Sequence, residues 1–179
     1  MLDTKRSLLI VTDVQGKLAQ MMFKREALFK NIGIIIEGFK ILEIPILWLE
    51  QYPEGLGSTV KEVASHLKGY TPMPKKVFSA MKDRNILKRF EDIGRDQVLM
   101  TGIETHICIY QTSMDLLSRG IETHIAKDAV SSRTKANKTI GLKKIERAGG
   151  HITSVETALF ELLSIAEGKA FQNILKLVK

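Results

Sequence analysis

The sequence predicts an α/β fold, a doubly wound parallel sheet of six strands with helices on both faces. Three observations carry this. The runs Ser7–Thr12 and Ile46–Leu49 are continuously apolar or nearly so, as in strands buried on both sides. Segments with three- and four-residue apolar spacing separate such runs. Strand and helix signals alternate along the chain, the pattern of strand–helix–strand crossover units. At 179 residues the chain is long enough for one domain with a substantial core, and the reading takes residues 1–179 as that single domain.

Ser7–Thr12 forms the first strand and stops at Asp13-Val14-Gln15-Gly16. Leu28, Ile32, Ile35, Phe39 and Leu42 then mark one face of a helix over 26–42. Pro45 opens the second strand, Ile46–Leu49, which ends on Glu50-Gln51, and Tyr52–Gly57 reads as loop. Thr59 and Glu62 fit a capping box for a short helix whose inner face is Val60, Val63, Ala64 and Leu67. After Pro72 and Pro74, Lys75–Ser79 is a short strand candidate, followed by a helix over 81–92.

Val98–Met100 is the fourth strand, closed by Thr101-Gly102. The helix after it takes Thr105 as its N-cap and Gly120 as its stop. His124–Ala126 lies in a fifth strand that closes on Asp128-Ala129. Ala136–Ala148 is a helix stopped by Gly149-Gly150, and His151–Thr153 is the sixth strand. Helices near 155–164 and 169–178 complete the pattern.

Composition narrows the function classes. The net charge of +7 comes from basic residues spread along the chain and interleaved with acids, with no aromatic-and-basic nucleic-acid motif. A generally basic surface without nucleic acid as partner is expected. A single cysteine excludes an intrachain disulfide and a cysteine-cluster zinc site. No apolar run reaches membrane-spanning length, and Asp13 cuts the first one too short for a signal peptide. No membrane partner and a cytoplasmic location are the expectation.

Ligands of such sheets bind beyond the carboxyl ends of the strands, where strand order reverses. Asp13, Glu50-Gln51, Gly102-Ile103-Glu104 and Asp128 all fall at predicted carboxyl ends. The lone cysteine, Cys108, stands about one turn into the helix that leaves the fourth strand. A helix N-terminus lowers a thiol's pKa, and the thiolate is the nucleophile. Asp13 could take and return its proton, and Lys75 or Lys76 could hold the charges. Each residue also has a plainer reading: a small buried cysteine, a turn-capping aspartate, an exposed lysine pair.

Four patches resemble the isochorismatase-like superfamily of cysteine hydrolases: LLIVTDVQGKL around Asp13, PKKVFSAM around Lys75, LMTGIETHICI around Cys108 and KDAVSSR at 127–133. WLEQYPEGLG and GIETH are similar to its isochorismatase domain-containing subgroup. The resemblance implies a Rossmann-like strand order 3-2-1-4-5-6 and an Asp13–Lys75–Cys108 triad. Phe78 selects Lys75 over Lys76, because the family's lysine precedes an aromatic-Ser pair by three residues. A cis peptide is implied at Ile103–Glu104, with oxyanion-binding N–H groups at Glu104 or Thr105 and at Cys108.

Gln15, Gln51, Phe78 and His106 are candidates for the substrate pocket. The metal-binding nicotinamidases of the superfamily carry Asp-x-His after strand two; Glu50-Gln51-Tyr52-Pro53 departs from that pattern, and no metal or cofactor is implied. His66, His106, His124 and His151 show no ligand spacing along the sequence. The implied activity is metal-independent hydrolysis of a C–N bond in a small amide, imide or carbamoyl compound, by a homo-oligomer. The alternatives are a catalytically silent binding protein on the same fold and a nucleic-acid binder using the basic surface.

Overall fold

Strand β1 (Ser7–Thr12) is buried at every residue, and its side chains alternate between two cores. Leu9 and Val11 face one, Leu8 and Ile10 the other, as period-two strand geometry requires. The computed structural model describes residues 1–179. The remaining strands are β2 (Ile46–Gln51), β3 (Met73–Lys75), β4 (Gln97–Ile103), β5 (Glu122–Ser131) and β6 (His151–Thr153). They form one parallel sheet in the order β3-β2-β1-β4-β5-β6. The order reverses at β1, which pairs with β2 on one side and β4 on the other.

The helices are α1 (Gly16–Gln20), α2 (Arg25–Ile41), α3 (Pro53–Leu56), α4 (Lys61–Ala64), α5 (Arg84–Ile93), α6 (Tyr110–Ser118), α7 (Lys135–Arg147), α8 (Val155–Leu163) and α9 (Gly168–Val178). One core lies between the sheet and α1, α2, α4, α8 and α9. Its centre is the α2 stripe Ile32, Ile35, Ile36 and Phe39, all fully buried. Each such side chain contributes about 1.5–3 kcal/mol of burial. The other core lies beneath α5, α6 and α7, through Ile86, Phe90, Leu116, Leu142 and Ile145. No helix is long and apolar enough to cross a membrane.

Local signals set several helix ends. Asp83 caps α5 by accepting from the Asn85 and Ile86 N–H groups. Thr134 caps α7 and Ser154 caps α8 in the same way. Other expectations are corrected. β3 ends at Lys75 rather than beginning there, because Lys76–Ser79 turns away to meet α6. Thr59 caps no helix: its N–H and hydroxyl both donate to Glu50 Oε1, at 2.7 Å each. Tyr52–Gly57 contains the short helix α3, and α1 also went unread. β5 passes through Asp128 to Ser131, with a register shift opposite β4 between Met100 and Gly102.

Candidate active site

Asp13 follows the last residue of β1 and holds a left-handed backbone, φ 57°, unusual for a non-glycine residue. Its N–H donates to Leu49 O of β2 at 3.1 Å, which ties this conformation to the sheet. On the other side β4 passes very close. A Cβ on Gly102 would lie 2.0 Å from Thr12 O, and Gly102 has φ 110°, so only glycine fits beside the Asp13 turn.

Lys75 ends β3 with its side chain wholly buried and its ammonium directed at Asp13. Nζ donates to Asp13 Oδ2 at 2.7 Å and to Gln51 Oε1 at 2.6 Å, with the Val77 and Phe78 carbonyls at 3.4 Å. Lys76, on the opposite side of the chain, is exposed with its ammonium 5.5 Å from the centre of the Tyr52 ring. Gln51 donates its own amide to Lys76 O at 2.9 Å, so β2 orients the lysine as well as accepting from it.

Cys108 sits in a single π-helical turn, Thr105–Ile109, between β4 and α6. Wide turns of this kind recur at functional sites. The Ile107 and Ile109 N–H groups both donate to Glu104 O, at 3.0 and 3.3 Å. The Ile103–Glu104 peptide is cis. Helix α7 presses on the turn: a Cβ on Gly141 would stand 2.6 Å from Thr105 O. Thr105 is not an N-cap, since its buried hydroxyl has no hydrogen-bond partner. Glu104 is buried, and its carboxylate accepts from the Arg133 N–H at 3.0 Å and pairs with the Arg133 guanidinium. His106 is half-buried, with Nδ1 3.0 Å from Ser132 Oγ.

Burial governs the electrostatics. It raises the Asp13 carboxyl above its ordinary range, opposed by the charge and hydrogen bond of Lys75 and by the Cys108 thiol. Burial also pushes the Cys108 thiol up to about 12, reinforced by the Asp13 charge and opposed by that of Lys75. The expected lowering by a helix N-terminus is therefore overturned. Cys108 lies in a buried π turn beside a carboxylate, and desolvation plus like-charge repulsion outweigh the backbone dipoles. Asp13 Oδ1 is buried and free of hydrogen bonds, an open acceptor in this cluster.

The structure thus brings Asp13, Lys75 and Cys108 together, from the ends of β1 and β3 and the turn after β4. Gln51 joins them through Lys75. Gln15 lies apart from any opening: it is fully buried and bridges Gln51 O, Gly57 O and the Gln51 N–H. Phe78 is 54% exposed and, with Val77 and Tyr52, forms an apolar rim near Lys75. Asp128 falls outside the cluster, where Oδ1 accepts from the Val155 N–H and its carbonyl from Asn31. Two supporting contacts went unread in the sequence. Ser79 Oγ donates to Asp115 Oδ2 at 2.6 Å, and the Ala80 N–H to Thr112 Oγ1 at 3.0 Å, clamping the segment after Lys75 to α6. Only the register of distant segments reveals them.

No carboxylate–histidine pair follows β2, since Glu50 is held by Thr59 and Gln51 by Lys75. A potential ligand cluster occurs elsewhere, at Glu122, His124 and His151. A cleft of about 920 Å³ is lined by His124, His151 and residues of α2, α7 and α8 rather than by the Cys108 cluster.

The comparisons with known proteins agree with this architecture. Residues 7–157 match the model of the isochorismatase domain. The chain is 36% identical over 179 residues to a secreted isochorismatase effector of Phytophthora sojae, covering 97% of this chain and 84% of that protein. A Caenorhabditis elegans protein described as MAR1 ribonuclease superposes with a TM-score of 0.92 at 32% identity, covering 99% of this chain and 91% of that one. The Escherichia coli YcaC product, described as an octameric hydrolase of unknown specificity, shares the fold with a TM-score of 0.92 at 14% identity, over 98% of this chain and 89% of its own. With its domain match, its sequence relatives and a parallel sheet in the order 3-2-1-4-5-6, the chain belongs to the isochorismatase family of hydrolases.

Proposed function

We propose that the protein is a metal-independent cysteine hydrolase that cleaves a C–N bond of a small amide, imide or carbamoyl compound. The observation that supports this best is the buried meeting of Asp13, Lys75 and Cys108, with Lys75 Nζ 2.7 Å from Asp13 Oδ2. The Cys108 sulfur attacks the substrate carbon as its proton passes to Asp13. Burial suits Asp13 to that task, because a raised carboxyl pKa makes a stronger base. The Lys75 ammonium stabilises both the carboxylate and the forming thiolate. N–H groups of Glu104 or Thr105 and of Cys108 receive the oxyanion. Asp13 returns its proton to the departing nitrogen, and water then releases the thioester to regenerate the thiol.

The buried site favours a small substrate over a polymer, although the Caenorhabditis elegans neighbour is described as a ribonuclease. The exposed rim of Tyr52, Val77 and Phe78 beside the site fits coverage by a second copy, so the working unit is a homo-oligomer. The test is a turnover screen across amides, ureides and carbamoyl compounds. Cys108→Ala and Asp13→Ala should both abolish hydrolysis of any substrate the wild type accepts. Full activity in either variant excludes the mechanism.

A further inference from the structure

At the opposite end of the sheet from Cys108, β5 and β6 bring together three side chains that lie apart in sequence. Glu122 and His124 are two residues apart on β5 and therefore point to one face. His151 is the register partner of His124 on β6, so its ring lies beside that of His124 on the same face. The two ring centres are 4.7 Å apart. One donor atom from each of Glu122, His124 and His151 falls within a 4.8 Å span. The sequence could not show this, because the ligand spacing is across strands rather than along the chain.

We propose that Glu122, His124 and His151 form a binding site for a divalent transition-metal ion of the zinc type. Two imidazole nitrogens and one carboxylate oxygen are the borderline donors that zinc, cobalt(II) and nickel(II) take. Zinc at about 2.0–2.1 Å from tetrahedral donors sets those donors about 3.3 Å apart. Glu122 Oε1 and His124 Nε2 are already 2.9 Å apart. Donor separations of no more than 4.8 Å need at most about 1.5 Å of closure, within reach of a rotamer change at the exposed His151.

The surroundings support the arrangement. Arg6 holds Glu122 Oε2 at 3.3 Å and leaves Oε1 for the ion, a fixed orientation of the kind that outer contacts give metal ligands. His124, His151 and Glu161 line the 920 Å³ cleft, which offers a path from solvent. Water from the cleft completes the coordination. The site is distinct from the Cys108 cluster: Leu99 of β4 lies beside His124, whereas Gly102 lies beside Thr12, near the other strand ends.

The experiment uses tag-free, chelator-stripped protein. Zinc is titrated in competition with a chromophoric chelator, and cobalt(II) binding is followed by its visible d–d bands. Wild type should bind a single ion per chain, with cobalt bands of low coordination number. His151→Ala and His124→Ala should each weaken binding about 10–100-fold or more. Cys108→Ser should leave affinity and bands unchanged. Because His151 is exposed, its variant keeps the fold, which circular dichroism verifies. No stoichiometric binding by wild type overturns the proposal. So does binding that survives His151→Ala, or that is lost in Cys108→Ser.

Discussion

Replacing Lys75 by Met is the sharpest perturbation of the buried cluster. Methionine roughly preserves the length of the stem and removes the ammonium, which lies 2.7 Å from Asp13 Oδ2 and 2.6 Å from Gln51 Oε1. A unit charge about 4 Å away at an effective dielectric of about 20 is worth about 4 kcal/mol. Its loss drives the Asp13 carboxyl further up, in the same direction as burial already does. Leaving a buried charge without its partner costs about 3–5 kcal/mol. For a chain of this size the loss is about 6–20 °C in Tm.

The pH dependence has a definite sign. With its folded-state pKa raised above the unfolded value, Asp13 binds its proton more readily in the folded chain. Stability therefore falls as pH rises from the unfolded carboxyl range through the raised folded value. Lys75→Met enlarges that window, so the deficit relative to wild type should be widest near pH 8 and shrink towards pH 5. Urea unfolding at the two pH values measures it. A variant within about 0.5 kcal/mol of wild type at pH 8, or a deficit that grows on acidification, refutes the coupling of Lys75 to Asp13; differences that small are typical of surface substitutions.

Two further outcomes follow from the same geometry. Asp13→Asn removes a charge that raises the thiol pKa, so iodoacetamide should alkylate Cys108 faster than in wild type at pH 7–8 while turnover is lost; slower alkylation contradicts the electrostatic account. Gly141→Ala drives a Cβ to 2.6 Å from Thr105 O, and the π turn must shift. Its loss of kcat should exceed 10-fold, about 1.4 kcal/mol of transition-state energy, with KM less affected, whereas unchanged kcat shows that α7 does not set the turn.

Much of the fold is legible because long buried strands announce themselves. β1 and β2 are apolar nearly throughout, and the α2 stripe has clear helical spacing. β3 leaves little pattern in the sequence because it has three residues, includes Pro74 and lies on the sheet edge. The choice between Lys75 and Lys76 depends on which of two adjacent side chains turns inward, and an unplaced strand cannot supply that. Resemblance made the choice in the sequence, and the Nζ–Asp13 contact gives its geometry.

The direction of the thiol pKa is hidden from the sequence for a different reason. A helix start is visible in sequence, but the burial of Cys108 and the nearness of Asp13 are tertiary facts. The π turn is equally hidden, since it arises from Glu104 O accepting from both Ile107 and Ile109 under the pressure of Gly141. His124 and His151 became neighbours only through the β5–β6 register. Thr59 shows the converse hazard: a correct capping-box pattern was overridden by the buried Glu50 carboxylate, which took both of its donors.

The central claim is that Cys108 is the nucleophile. Its most direct test is intact-mass analysis of protein acid-quenched during turnover of the first amide, ureide or carbamoyl substrate found. The mechanism predicts a mass increase equal to the acyl portion of that substrate, mapped by peptide sequencing to Cys108 and absent from Cys108→Ala. Sustained turnover by Cys108→Ala, with no adduct on the wild type under any quench, would contradict it.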